Sequence, residues 1–213
     1  MTEDLEEIES IYKSIYGDII LEDFVILAKD NILNINIENY TYNDLSFKNI
    51  FDILNDNIIR NIDCNNKNFL NVASGAGKIT IFTSLFYNFS NNFGIENIYE
   101  MYILSKTILD KIKTNPNKKY TALNNKKINF FLRDPLLVEL GEYKLIVLDY
   151  NNNNRLFNEL FQEKVEKEAK PGSIIIKIFS NFQESKHLKL LKTKILKNTV
   201  YKKSFMVFFY EKR

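Results

Sequence analysis

The glycine-rich segment FLNVASGAGK, residues 69–78, has the residue types and spacing best suited to ligand chemistry in this chain. An apolar run enters a turn of small residues, and an apolar run with helical character follows it. Small residues let backbone amides approach a ligand near the positive end of a helix. The segment therefore predicts a binding turn, and three classes of ligand use such turns.

The first two classes fit this turn poorly. A nucleoside triphosphate loop requires G-x-x-x-x-G-K-[ST], but Val72 stands where the first glycine belongs and Ile79 where Ser or Thr belongs. A dinucleotide fingerprint requires G-x-G-x-x-G; Gly75 and Gly77 supply the first pair, but Thr80 replaces the third glycine. The triphosphate interpretation is excluded, and the dinucleotide interpretation stays open.

Two acidic residues favour the third class, S-adenosylmethionine. Glu96 ends the predicted strand NNFGIE nineteen residues after Gly77, where a carboxylate can accept hydrogen bonds from both ribose hydroxyls. Its alternative role is a surface salt bridge. Asp134 follows KINFFLR and could bind the adenine amino group, or it could be a solvated loop residue. S-adenosylmethionine needs no pyrophosphate site, so the turn and the acids together favour it.

The combination of these motifs resembles a known family. The segment YNDLSFKNIFDIL (42–54), the glycine turn, GIEN and the strand LIVLDY resemble the disruptor-of-telomeric-silencing (Dot) methyltransferases over about residues 40–210. That family methylates a lysine in the globular part of histone three. Its Tyr-Gly-Glu-x-x-Phe loop precedes the first strand, and residues 42–47 look like a degenerate copy of it. The resemblance implies a class I methyltransferase fold and a histone-lysine N-methyltransferase.

The resemblance also implies a set of site residues. Asp44 and the backbone near Leu45 would hold the methionine end of the cofactor, and Asp149, in place of the family's Asn, would orient the acceptor amine. Tyr42 and Tyr150 would line an apolar channel around that amine, with Tyr40 and Phe208 as further candidates; Phe208 is the one we expect in the core. The predicted cofactor-binding residues are Asp44, Leu45, Asn71, Ala73, Ser74, Gly75, Gly77, Glu96, Asn97, Asp134, Pro135 and Asp149, and the predicted catalytic residues are Asp149, Tyr150 and Tyr42.

Two residues depart from the family pattern. Asn71 replaces the usual acid of the first strand, and Ala73 replaces the first glycine of the turn. Both changes are expected to weaken cofactor binding unless something compensates. The expected reaction is direct displacement on the sulfonium methyl by a neutral amine, for which the protein mainly supplies alignment; the product cofactor is S-adenosyl-L-homocysteine.

A lysine-rich segment near the end of the chain predicts an anionic partner. Residues 186–203 contain seven lysines and no acid, whereas the first 23 residues are acidic with one lysine. The spacing of Leu188, Leu191 and Ile195 predicts an amphipathic helix; its lysines suit phosphate contacts, or else form a solvated face. The predicted nucleic-acid-binding residues are Lys186, Lys189, Lys192, Lys194, Lys197, Lys202 and Lys203.

The sequence leaves three functions open. The first is methylation of a nucleosome through contacts with histone and DNA. The second is methylation of RNA or another protein, which the degenerate loop keeps open. The third is a non-catalytic binding subunit of the same fold, which Asn71 and Ala73 keep open.

The elements that must position these residues alternate between strand and helix from residue 67 onward. Apolar strands are predicted at 68–73, 91–96, 127–132, 143–150, 173–179 and 204–210, and helices at 78–89, 99–113 and 156–168. Such alternation is typical of a doubly wound, Rossmann-like α/β fold with a mostly parallel sheet. Before it, we predict a helix over 2–16, a hairpin from strands 24–28 and 32–40, and a helix from Asp44 or Ser46 to about Asn57.

Length and composition limit the remaining possibilities. The 213 residues are expected to form one structural domain, with an N-terminal helix, hairpin and cofactor-loop segment over 1–57 and the methyltransferase core over 58–213. One cysteine and one histidine, Cys64 and His187, are too few for a disulfide framework or for a zinc site of the usual four-ligand kind, so no metal is expected. We expect a monomer without membrane contact, inside the cell and in the nucleus if it acts on nucleosomes, or in the cytoplasm if it does not.

Overall fold

The computed structural model of the chain describes residues 2–17, 45–115, 120–150, 155–197 and 204–213. The predicted hairpin over 24–40 lies outside the described residues. So do five of the predicted site residues, namely Tyr40, Tyr42, Asp44, Lys202 and Lys203. Within the described part of the chain, no helix is long and apolar enough to cross a membrane.

One seven-stranded sheet, in the order β3-β2-β1-β4-β5-β7-β6, organises the described part of the chain. Its strands are β1 Asn68–Val72, β2 Asn91–Glu96, β3 Ile128–Leu132, β4 Tyr143–Leu148, β5 Ile174–Ile178, β6 Leu188–Lys197 and β7 Ser204–Lys212. The first five strands are parallel, and β7 runs antiparallel to both β5 and β6. The predicted doubly wound, mostly parallel sheet is confirmed.

Helices cover both faces of this sheet. They are α1 Thr2–Tyr16, α2 Phe47–Leu54, α3 Asn57–Arg60, α4 Lys78–Phe86, α5 Tyr99–Thr114, α6 Thr121–Asn124 and α7 Arg155–Glu168, with a 3₁₀ turn at Pro135–Leu137. The apolar side chains form two buried clusters. One lies between the sheet and α1, α2, α4 and α5, and the other lies on the opposite face, which α7 covers.

The helix predicted to end near Asn57 is divided into two. Ser46 caps the first part through its side chain, which accepts a hydrogen bond from the Asn49 amide. The helix then ends at Leu54, and Asp56 caps a new turn by accepting from the Ile58 amide. Asp and Asn side chains compete for backbone amides inside a helix, so this corner restarts the helix instead of continuing it.

The predicted lysine-rich helix over 186–203 is wrong, because residues 188–197 form the edge strand β6. The register with β7 shifts between Leu190 and Lys192, which is a β-bulge. The extra residue moves the apolar positions out of strict alternation, so that Leu188, Leu191 and Ile195 acquire a helix-like spacing. After the bulge, Thr193 and Ile195 alternate with Lys192 and Lys194 as a strand requires.

Candidate cofactor and acceptor site

The predicted site residues meet at one edge of the sheet, where the parallel strands end. The Ser74 amide donates to the Ile95 carbonyl at 2.9 Å, which ties the end of β1 to β2. The Asp149 amide donates to the Val72 carbonyl at 3.1 Å, which ties the end of β4 to β1. Strand order reverses between β1 and β4. Open α/β sheets bind ligands at this point of reversal.

The turn after β1 takes a left-handed backbone at three positions. Ala73, Gly75 and Gly77 have φ of 55°, 53° and 82°. A side chain at Gly77 would also collide with the ring of Phe130, so glycine is required there for space as well as conformation. Ala73 lacks glycine's freedom and holds a strained conformation at the place where the family pattern has glycine.

Glu96 provides a buried carboxylate at this edge of the sheet. Its side chain is buried, and one carboxylate oxygen accepts from the Gly75 amide at 2.8 Å. The other oxygen accepts from the amides of Asn97 at 2.8 Å and Ile98 at 2.9 Å. Burial raises the pKa of this carboxyl, and the three backbone amides oppose that rise. Glu96 is therefore not a surface salt-bridge residue, and its carboxylate is fixed against the glycine turn.

Asn71 has a structural role beneath the turn. It is fully buried, and its amide nitrogen lies 3.4 Å from the carbonyl oxygens of Val72 and Val147. Its side-chain oxygen accepts from the Thr80 hydroxyl at 3.2 Å. These bonds connect β1, β4 and α4. The uncharged Asn71 side chain makes hydrogen bonds with both its nitrogen and its oxygen, and these bonds stabilise the end of β1 beneath the turn.

The Ser74 side chain is a polar group whose partner a ligand could supply. Its hydroxyl oxygen is buried and has no hydrogen-bond partner among the described residues. Buried hydroxyls are nearly always hydrogen-bonded in folded proteins. With the carboxylate of Glu96 and the left-handed turn, this hydroxyl makes the edge of the sheet fit a ligand that carries hydroxyl and amino groups.

Helix α1 packs against the same turn. The Tyr16 hydroxyl donates to the Ala76 carbonyl at 3.2 Å, and the Tyr12 hydroxyl donates to the Leu45 carbonyl at 3.1 Å. The ammonium of Lys78 lies 5.3 Å from the ring centroid of Tyr12 and 5.1 Å from that of Tyr16. Helix α1 therefore contacts both the Leu45 backbone and the glycine turn. Helical spacing predicted α1 but not these contacts.

The ends of β2 and β3 carry the candidates for the adenine side. The Arg133 amide donates to the Glu96 carbonyl at 2.9 Å, which places Asp134 one residue beyond this link. Asp134 is exposed and accepts from the Leu136 amide at 2.9 Å, while Pro135 is buried at the start of the 3₁₀ turn. Asn97 is exposed, and its backbone amide binds Glu96.

The candidates for the acceptor side directly follow β4. Asp149 and Tyr150 are half-buried there, and the Tyr150 ring lies 4.3 Å, centroid to centroid, from Phe157 of α7. The two predicted catalytic residues in the described part of the chain are thus adjacent to the cofactor turn. Phe208, in contrast, is buried in the second apolar cluster, as we expected for a core residue.

Lys177 is a candidate that the sequence interpretation missed. It is fully buried on β5, and its ammonium donates to the Asn158 side chain at 2.9 Å and the Asn181 carbonyl at 3.3 Å. It also lies 4.5 Å from the ring centroid of Phe182. Burial lowers the pKa of Lys177 to about 8. The available signal was a single charged residue within the apolar strand SIIIKIF.

A polar cavity of about 290 Å³ opens beside Lys177. The Ser180 hydroxyl in its lining is buried and has no hydrogen-bond partner among the described residues. Phe179, directly before it, has a φ of 79°, a strained conformation for a bulky residue. A lysine of lowered basicity beside an open polar cavity can exchange a proton near neutral pH.

The lysines of β6 divide into two groups. The Lys192 ammonium lies 2.6 Å from the buried Asp56 carboxylate, and Lys194 donates to the Asp52 carbonyl and lies 4.0 Å from Asp56. These two lysines hold β6 against the α2–α3 corner. The remaining predicted nucleic-acid contacts in the described part of the chain are Lys186, Lys189 and Lys197; of these, Lys189 and Lys197 are exposed on the strand and Lys186 directly precedes it.

Several solved structures with a similar fold are methyltransferases. Magnesium protoporphyrin IX methyltransferase (ChlM) from Synechocystis PCC 6803 with bound SAM is 9% identical, with a TM-score of 0.59 over 90% of this chain and 97% of that one. An RNA methyltransferase from Salinibacter ruber in complex with S-adenosyl-L-homocysteine is 13% identical, with a TM-score of 0.57 over 79% of this chain and 92% of that one.

A third similar structure is the B. subtilis M1A22 tRNA methyltransferase TrmK, which is 13% identical, with a TM-score of 0.53 over 81% of this chain and 68% of that one. No protein-family model and no curated protein matches the sequence. At these identities the likeness shows the fold alone. The chain has the Rossmann-like class I methyltransferase fold.

Proposed function

We propose that this protein is an S-adenosylmethionine-dependent methyltransferase whose acceptor is RNA. The observation that carries the proposal is the Glu96 carboxylate, buried at the end of β2 and hydrogen-bonded to Gly75 of the turn after β1. Within a class I methyltransferase fold, this pair lies at the reversal of strand order where a nucleoside ligand binds. Two of the similar structures were solved with S-adenosylmethionine or S-adenosylhomocysteine bound.

The ribose and the adenine of the cofactor have candidate partners among the described residues. Glu96 would accept the ribose hydroxyls, Ser74 would supply a hydroxyl beside the turn, and Asp134 would accept the adenine amino group. Asp149 follows β4 beside the turn, where it would orient the acceptor. The bound cofactor would supply an activated methyl group, and the residues of this chain would align the acceptor with it.

Two observations favour RNA over a nucleosomal lysine as the acceptor. Two of the similar structures are an RNA methyltransferase and a tRNA methyltransferase. The lysine-rich segment forms a sheet edge and not the basic helix expected for nucleosomal DNA. Histone methylation stays a prediction and is tested in the same experiment.

The proposal is tested by transfer of a labelled methyl group from S-adenosylmethionine to total RNA, to intact nucleosomes and to free histones. We expect label in RNA, and we expect the Asp149→Ala variant to slow transfer at least ~10-fold because the acceptor is no longer oriented. The matched control is Asp110→Ala, an exposed aspartate on α5, which should keep the rate of the unchanged protein.

Other outcomes would contradict the proposal in distinct ways. Label in nucleosomes but not in RNA would establish the histone reaction instead. Label in RNA at an equal rate from the unchanged protein and from Asp149→Ala would remove Asp149 from the acceptor site. No transfer to any of the acceptors would contradict the proposed reaction.

A further inference from the structure

The antiparallel ribbon of β6 and β7 has one uncovered face. This ribbon face consists of Leu190, Thr193, Ile195 and Lys197 of β6 and Ser204 and Met206 of β7, all of which are exposed. The register places Ile195 opposite Met206 on this face. Ile195 is 69% exposed, Leu190 51% and Met206 44%. Large apolar side chains gathered on one face of a soluble protein mark an interaction surface.

The opposite face of the ribbon is covered and anchored. Leu196, Val207 and Phe209 are buried there in the first apolar cluster, and the Asn49 side chain of α2 donates to the Lys197 carbonyl at 2.9 Å. Lys192 also reaches Asp56 on that side. The covered face therefore fixes the position of the ribbon, and the other face stays accessible.

The charge around the ribbon face fits a polyanion. Residues 186–197 contain five lysines and no acid. Lys192 and Lys194 are bonded to the α2–α3 corner, which leaves Lys189 and Lys197 exposed on the strand and Lys186 just before it. Lys197 shares the ribbon face with Ile195. Apolar side chains flanked by lysines can contact both the bases and the phosphates of a single strand.

The ribbon face also continues toward the acceptor side of the candidate site. Lys177 of β5 and Phe208 of β7 share this face of the sheet but are buried, so the exposed part begins at Met206. The Met206 carbonyl accepts from the Phe179 amide at 2.8 Å, which places the ribbon face directly after the end of β5. The cavity beside Lys177 is at the end of β5, next to the end of β4 that carries Asp149. A strand lying on the ribbon face would thus lead to the acceptor site.

A second copy of the chain is a poorer occupant of this face. A two-fold contact through this face would bring the lysine-rich segments of both copies near each other, and residues 186–197 contain no acid to pair with them. Lysines along an edge strand also oppose pairing with another strand. Both arguments favour an acidic partner of a different kind.

We propose that the ribbon face is the docking surface for the single-stranded RNA flanking the methylated nucleotide. This inference rests on the proposed function and adds the place where the acceptor binds. Bases would pack on Ile195 and Met206, and Lys197 would contact a phosphate. Lys186, which is exposed just before β6, would extend the contact with the backbone.

The test is the binding of a fluorescein-labelled 12-nucleotide single-stranded RNA of mixed sequence, followed by anisotropy at several salt concentrations. We expect Ile195→Glu to raise the Kd at least ~10-fold, because it removes an apolar contact and adds an opposing charge. Lys197→Gln should reduce the slope of log Kd against log salt by about 0.7, the value for one phosphate contact of a single strand.

The matched control is Ile103→Glu, which makes the same substitution at an isoleucine of α5 that is 40% exposed. It should leave the Kd within about two-fold of the unchanged protein. Ile195→Ser, which adds no charge, should still weaken binding several-fold. Thermal melting of each variant checks that all of them fold.

The outcomes separate this inference from the proposed reaction. If Ile195→Glu binds and methylates RNA with unchanged Kd and KM, the docking surface is contradicted and the reaction is not. RNA bound at the ribbon face without any methyl transfer would overturn the reaction and leave the surface standing. Binding of polyglutamate but not RNA, with the same loss in Ile195→Glu, would overturn RNA as the occupant.

Discussion

At the scale of single residues, the site combines a carboxylate in a fixed position with a locally strained backbone. The Glu96 carboxylate receives three backbone amides, so its position is set before any ligand binds. Ala73 holds a left-handed backbone without the freedom of glycine, and Phe179 does the same at the end of β5. Strained residues that persist at the end of a strand mark places where function or packing outweighs local preference.

Replacing Ala73 with glycine should stabilise the protein. The φ of 55° is unfavourable for alanine, and Ala73→Gly should raise the free energy of unfolding by about 1 kcal/mol. Urea denaturation measures the change. The control is Ala76→Gly in the same turn, which has no positive φ and is buried, so it should destabilise the protein. Equal destabilisation by both substitutions would contradict the assignment of strain.

Lys177 should make stability depend on pH in the alkaline range. Its pKa is about 8 in the folded protein and ordinarily about 10.5, so the folded state releases the proton first. The free energy of unfolding should therefore rise between pH 8 and 10.5, by about 2–3 kcal/mol relative to Lys177→Met, and the difference should be constant below pH 8. Thermal and urea denaturation across this range measure it.

The pH experiment has a control on the same sheet. Lys189→Met replaces an exposed lysine, and its stability should follow that of the unchanged protein at every pH. Parallel curves for the unchanged protein and Lys177→Met would show that the Lys177 ammonium is as well solvated as a surface lysine.

At the scale of elements, the edge strand β6 is anchored by charge. Asp56 is buried and caps α3, and its carboxylate binds Lys192 of β6 at 2.6 Å. This one carboxylate therefore joins α3 to the edge strand β6. Lys192 keeps 43% of its side-chain exposure, which limits the strength of the pair. The structural role of this lysine is nevertheless distinct from that of its neighbours on the same strand.

Lys192→Met should cost about 1–2 kcal/mol of stability, because the buried Asp56 carboxylate would lose its near cation. Lys189→Met, on the same strand and exposed, should change stability by less than about 0.5 kcal/mol. Urea denaturation compares the two. If the two lysines contribute equally to stability, the Asp56 contact does not anchor β6.

The elements also show which features a sequence can predict. Strands β4 and β5 could be placed because a parallel strand buried on both faces is a continuous apolar run, as in LIVL and IIIKI. The cap at Ser46 is a local signal and could be placed too. Strand β6 could not, because its bulge shifts the apolar pattern and only pairing with β7 resolves the ambiguity.

The same distinction holds for the candidate site. Glu96 and the glycine turn could be identified by spacing, but the bond between Glu96 and the Gly75 amide depends on the pairing of β1 and β2. The environment of Lys177 depends on α7 and on the segment after β5, which are distant from one another in sequence. Tertiary contacts decide the role of a buried polar residue, and sequence periodicity does not encode them.

At the scale of the whole molecule, the order of the strands positions the candidate site residues. Five parallel strands bring the glycine turn, Glu96, Asp134 and Asp149 to one edge, and the antiparallel β7 and β6 extend the sheet beyond β5. The cofactor turn and the ribbon face are thus parts of one sheet. This arrangement separates the proposed cofactor side, at β1 to β3, from the proposed acceptor side, at β4 to β6.

The measurement that tests the central claim most directly is a calorimetric titration with S-adenosyl-L-homocysteine. We expect saturable binding to the unchanged protein, and an increase in Kd of at least ~10-fold, or about 1.4 kcal/mol, for Glu96→Gln because the ribose would lose its carboxylate. Glu142→Gln, at an exposed glutamate before β4, should bind as the unchanged protein does. Absence of binding at about millimolar ligand, or equal binding by Glu96→Gln in its folded form, would contradict the assignment of this edge as a cofactor site.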